Sequence, residues 1–189
     1  MDDLQNSTTS NSKKASVITL AIDNNILEEI RKEAEKEGKT LSAKVNDILT
    51  KHIVLYRFAQ DTKCIIINSK TFHFIVDQLD EKLLLEDFMA NAVDFVSTFF
   101  HAKNIPFTLD NFIKYAGEGT GLHGGIYQHF HYYKDSNGIM TLVYRHNYGI
   151  KWSRILSKGL SHQIKSMLNY TTTSEILPSS VIIKIIKND

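Results

Sequence analysis

The sequence predicts an α+β protein: an N-terminal strand and two amphipathic helices, then a mixed α+β domain with a small, largely antiparallel sheet. Three observations predict it. Apolar residues between positions 15 and 23 alternate with the period of a strand buried on one face. From residue 24 to residue 56 the period lengthens to that of a helix. Beyond residue 63 the two periods alternate, and Asp135-Ser-Asn-Gly138 separates two strand-like runs in the manner of a hairpin turn. A chain of 189 residues with 42% apolar content and only two prolines has room for a small module joined to a medium-sized domain.

Residues 1–15 form a polar tail that ends in Lys13 and Lys14. A first module spans residues 16–60. In it Ile18, Leu20 and Ile22 alternate with Val17, Thr19 and Ala21, so one set faces inward and the other outward. Asp23 is placed to cap a helix whose apolar stripe is Ile26, Leu27, Ile30 and Ala34. Gly38 ends that helix, because a C-terminal cap needs the left-handed conformation. Thr40 or Ser42 opens a second helix with the stripe Leu41, Val45, Ile48, Leu49, His52, Ile53 and Tyr56, running on to about Phe58. A lone strand leaves its backbone N–H and C=O groups unpaired, and two short helices bury too little surface to stand alone. Two chains that pair their strands antiparallel and interlock their helices remove both problems, so the pattern implies a homodimer.

Strand, Asp cap, helix, Gly38-Lys-Thr-Leu-Ser42, helix: this order resembles the ribbon-helix-helix superfamily of MetJ/Arc-type transcription regulators. The resemblance implies operator DNA as partner, with the paired strands in the major groove and their outward side chains at base edges. Those positions are Val17, Thr19 and Ala21. It also implies phosphate contacts at the start of the second helix, at Thr40, Leu41 and Ser42, where free N–H groups and the helix dipole favour an anion. Lys13 and Lys14 add candidate phosphate contacts. Only Thr19 among the three ribbon positions is polar, which departs from the long polar readers usual in the family and leaves little base discrimination. The formal net charge of +1 does not exclude DNA, since a reading head needs a local basic face rather than a basic total.

The second domain, residues 63–189, reads as a succession of short elements. Cys64 to Asn68 has the composition of a short buried strand, with Cys64 as a small buried hydrophobe. Ser69 caps a helix bearing Phe72, Ile75, Val76 and Leu79, and a long helix covers Leu84 to His101. Thr108 caps a shorter helix, followed by a glycine-rich loop, Gly117 to Gly125. The hairpin, an amphipathic helix from Lys151 to Asn169 and a final strand, Val181 to Ile186, complete the chain. Lys151, Arg154, Lys158 and Lys165 give that last helix a basic, solvated side.

One constellation invites chemistry. Tyr127, His129, His131 and Tyr133 alternate along the first hairpin strand. A turn of two or four residues puts Tyr144 and His146 on the same face, making a His/Tyr cluster suited to a small ligand or, with His129, His131 and His146, to a metal. A bulge or a three-residue loop separates them, and His and Tyr also line sheet faces without binding anything. The glycine-rich segment lacks the Lys-Ser/Thr ending of a phosphate-binding loop and reads as a mobile lid with His123 in it. No nucleophile-elbow or paired-carboxylate motif supports an enzyme, and no residue pattern names a cofactor. The sole cysteine excludes an internal disulfide, and no signal peptide or membrane-spanning run is evident, so a cytoplasmic protein is expected.

The resulting expectation is a dimeric DNA-binding regulator whose C-terminal domain binds a small-molecule or metal effector or extends the oligomer. The alternative is an assembly or antitoxin-like factor that uses the first module only to dimerise.

Overall fold

Asp23 and Thr40 fix where the first two helices begin. In the computed structural model, which describes residues 16–61, 64 and 66–186, the Asp23 carboxylate accepts from the Asn25 amide at 2.9 Å and opens α1, Asn24–Lys36. Gly38 follows at φ +63°, which lets the chain turn sharply while the Lys39 amide donates to the Ala34 carbonyl. The Thr40 hydroxyl accepts from the Ala43 amide at 3.2 Å and opens α2, Leu41–Lys51. Lys44 is buried and clamped by Glu33 at 2.8 Å and Glu37 at 2.5 Å, which ties α2 to the end of α1. Ahead of α1, residues 16–23 make no β-ladder with any described residue. The strand expected there has no partner strand in one copy, and a ladder cannot form without one.

The chain divides into two units, Met1–Val45 and Asn46–Asp189. In the second, the end of α2 runs through a π-helical turn, π1 (His52–Tyr56), into α3 (Arg57–Asp61). Cys64 to Asn68 is not a strand among the described residues: Cys64 is exposed, Ile66 is 87% exposed, and residues 66–68 have no ladder partner. Apolar composition alone did not distinguish a buried strand from a connecting segment. The cap of α4, Ser69–Gln78, is the side chain of Asn68 rather than Ser69, accepting from the Thr71 amide at 2.9 Å. Asp80 caps the 22-residue α5, Glu81–Ala102, by accepting from the Lys82 and Leu83 amides. Thr108 caps a single turn, α6 (Leu109–Asn111), which continues as a second π-helical segment, π2 (Phe112–His123).

Four antiparallel strands follow in the order β1-β2-β4-β3: β1 (His129–Lys134), β2 (Met140–Arg145), β3 (Thr171–Leu177) and β4 (Ser180–Ile186). The 20-residue α7, Gly149–Leu168, connects β2 to β3 and packs against one sheet face, where the Ser157 hydroxyl meets that of Ser174 at 2.7 Å. Leu142, Tyr144, Val181 and Ile183 of that face are fully buried, together with Ile155, Leu156 and Ile164 of α7. On its other side α7 meets α5, where the Gln163 amide donates to the Ala92 carbonyl at 2.9 Å. The basic side of α7 is engaged rather than merely solvated. Lys151 donates to the carbonyls of Val76, Asp77 and Leu79 at the end of α4, and Arg154 forms a two-point pair with Glu81. Strand β3 was not expected from its sequence, since Thr171-Thr-Thr-Ser174 has no apolar alternation and lies on an edge of the sheet. Among the described residues, no helix is long and apolar enough to cross a membrane.

Candidate functional site

The hairpin loop decides the fate of the His/Tyr cluster. Lys134 pairs with Met140, which leaves five residues, Asp135–Ile139, in the loop. The Asp135 carboxylate holds it by accepting from the Asn137 and Ile139 amides, both at 2.9 Å. An odd loop shifts the phase, so Phe130 rather than His129 or His131 shares a face with Tyr144. His129, His131 and Tyr133 therefore stand with Arg145, Val143 and Thr141 on the sheet face that α7 does not cover, and all three are exposed. Tyr127, Tyr144 and His146 are buried. The single His/Tyr face is thus split, and among the described residues no three His, Cys, Asp or Glu side chains are placed to hold a metal ion.

Each buried member has a structural role that its neighbours define. The Tyr127 hydroxyl donates to the Gly117 carbonyl at 2.6 Å and tethers π2 to the start of β1. Tyr144 packs edge-on to Tyr127, with ring centroids 4.9 Å apart, and its hydroxyl has no hydrogen-bond partner among the described residues. His146 accepts at Nδ1 from the Tyr148 amide at 3.2 Å, which places the proton of the neutral ring on Nε2. That N–H then donates to the Ser153 hydroxyl at 2.9 Å, and Ser153 donates onward to the Leu177 carbonyl at 2.6 Å. Burial pushes the His146 pKa down to about 4, so the ring is neutral and serves as a core cross-brace.

The glycine-rich segment is helical, not a mobile loop. Gly117, Gly119 and Gly121 sit where neighbours leave no room for a side chain: a Cβ on Gly119 would lie 2.6 Å from the Val54 carbonyl oxygen, and one on Gly121 would collide with the Tyr127 hydroxyl. The expectation of a lid treated glycine as a helix breaker, whereas close packing of π2 against π1 and Tyr127 outweighs that propensity.

Between these helices lies a cavity of about 340 Å³ that sequence reasoning missed. Leu55, Tyr56 and Ala59 line it from π1 and α3, Phe72 from α4, Thr120 and His123 from π2, and Ile126 and Tyr148 from the loops beside the sheet. A second cavity of about 210 Å³ adjoins it, sharing Phe95, Thr120 and Ile126. The available signal was the four-residue spacing of Phe112, Ala116 and Thr120, a helical stripe that runs straight through the glycines.

In the first unit, Val17, Thr19 and Ala21 are all exposed, Val17 at 99%. Ile18 and Leu20, expected to face inward, are also exposed, at 67% and 57%. The hydroxyl of Thr40 is occupied by capping, while the amides of Leu41 and Ser42 belong to the first turn of α2 and have no intrahelical acceptor. Lys13 and Lys14 lie outside the described residues. Comparison with protein-family models, curated proteins and solved structures gives no match for this chain.

Proposed function

We propose that the protein is a dimeric DNA-binding regulator of the ribbon-helix-helix type. One observation carries the reading: an apolar segment with no ladder among the described residues, exposed at Ile18 and Leu20, leads directly into two capped helices joined at a left-handed glycine. Exposed apolar residues on an unpaired extended segment are stabilised when a second copy supplies both the ladder and the apolar cover. Pairing two such segments makes a two-stranded ribbon whose outward residues are Val17, Thr19 and Ala21. The amides of Leu41 and Ser42, doubled by symmetry, supply phosphate anchors on either side. The C-terminal unit acts as the effector-binding or oligomer-extending part.

The test combines molar mass by light scattering with duplex binding followed by fluorescence anisotropy. A dimer is expected, with affinity for duplex DNA that falls steeply between about 50 and 200 mM salt, because several phosphate contacts release counterions. Replacing Thr19 by Ala should weaken selection among sequences, and replacing Lys13 and Lys14 by Ala should lower the salt slope. A dimer that binds no duplex at low salt defeats the DNA reading and leaves a dimerisation clamp.

A further inference from the structure

We propose that the 340 Å³ cavity of the C-terminal unit binds an apolar small molecule with one uncharged hydrogen-bonding head group, the head at His123 and Thr120 and the body against Phe72, Phe95 and Ile126. This goes beyond the DNA-binding reading and stands without it.

The size and lining point to a ligand rather than to a packing flaw. The volume lies within the range of small-molecule sites, which are mostly apolar with a few polar groups. Two of the four lining hydroxyls, those of Thr120 and Tyr148, are committed to the wall itself, beside Tyr56 and Ser69. Thr120 donates to the Ala116 carbonyl at 3.1 Å and keeps its lone pairs, and Tyr148 donates to the Gly125 carbonyl at 2.9 Å. Most of the remaining lining is aliphatic or aromatic, so an apolar body is the better match. His123 is the exception. Desolvation and the Lys51 charge lower its pKa, while Glu118 and Asp47 act in the opposite sense, so the imidazole is neutral near pH 7 in surroundings of mixed charge. A neutral imidazole offers one donor and one acceptor, which suits an alcohol, amide or secondary amine better than a fully charged group.

The wall also has an unusual construction. Both π1 and π2 contribute to it, and they touch where Gly119 admits the Val54 carbonyl. π-Helical geometry is uncommon and is frequently found at functional sites. Here two such segments border one apolar cavity. A second space of about 210 Å³ shares Phe95, Thr120 and Ile126 with it.

The uncharged fluorophore N-phenyl-1-naphthylamine has this chemistry, an apolar body with one N–H, and serves as the probe. Titrated against the full chain without DNA, it should bind saturably at one molecule per chain with a rise in emission. 1-Dodecanol should displace it more effectively than dodecanoate. Ala59→Phe, which fills the cavity, should weaken binding at least about tenfold while circular dichroism stays unchanged. Ile67→Trp, at a more exposed position of the same wall, provides the same test if Ala59→Phe fails to fold. Saturable binding that survives the folded filling variant overturns the proposal, as does the absence of saturable binding. A filling variant that changes the molar mass but not probe binding also overturns it, showing that a second copy occupies the cavity. Because DNA is absent throughout, neither result depends on duplex binding.

Discussion

Tyr144 and His146 lie two residues apart, and burial acts on them differently. The Tyr144 hydroxyl is buried without a partner among the described residues, so it carries a desolvation cost with no hydrogen bond to offset it. Tyr144→Phe keeps the ring contacts with Tyr127 and Phe130 and is expected to stabilise the protein by about 1 kcal/mol in urea unfolding. A loss of stability would mean that the hydroxyl is bonded after all. His146 makes stability pH-dependent. Its folded pKa of about 4 lies below the ordinary value of 6.5, so the unfolded chain binds the extra proton between those values. Its contribution is fully present above pH 6.5 and is lost as the pH falls to 4, by about 3 kcal/mol at most. His146→Asn should flatten this slope. Glu37, held near 2 by Lys44 and Lys39, titrates in a lower window, below 4.5, and leaves the comparison clear. A wild-type slope unchanged by the substitution would remove His146 as its origin.

At the scale of elements, legibility followed how local the cause was. Asp23, Gly38, Thr40 and Thr108 act within a few residues of themselves, and each caps or turns the chain as its position suggests. The hairpin turn was legible at Asp135-Ser-Asn-Gly138, but its length was not, and one residue of phase moved His129 and His131 away from Tyr144. The glycines of π2 were misread because their cause is tertiary: Val54, Phe130 and Tyr127 occupy the space where side chains would stand. For the same reason the cavity beside π2 was invisible, since residues distant in sequence build it. Gly119→Ala tests the packing account. Its Cβ would meet a backbone carbonyl, which cannot swing aside as a side chain can, so a loss of about 1–3 kcal/mol is expected in urea unfolding. A neutral or stabilising result, as helix propensity alone would give, would mean that π1 and π2 are not held in close contact.

For the whole molecule, Ile18 and Leu20 carry the distinction between a monomer and a dimer. A single copy leaves them solvated, and the alternation that marks one face as inward has nothing inward to face. In the proposed dimer this becomes an energetic requirement, since antiparallel pairing would place both copies of each residue beneath the ribbon. Leu20→Asp puts a charge into that buried layer while leaving Val17, Thr19 and Ala21 on the opposite face untouched. The variant is expected to be monomeric by light scattering at concentrations where the parent is a dimer, and to lose duplex binding with it. The second unit has its own core around Leu142, Ile155 and Ile183, so the sheet signature in circular dichroism should persist. Thr19→Ala, by contrast, should leave the dimer intact and alter only the choice among DNA sequences. Leu20→Asp remaining a dimer would place the self-contact elsewhere, and the exposed Ile48, Leu49 and Ile53 would then be the next residues to substitute.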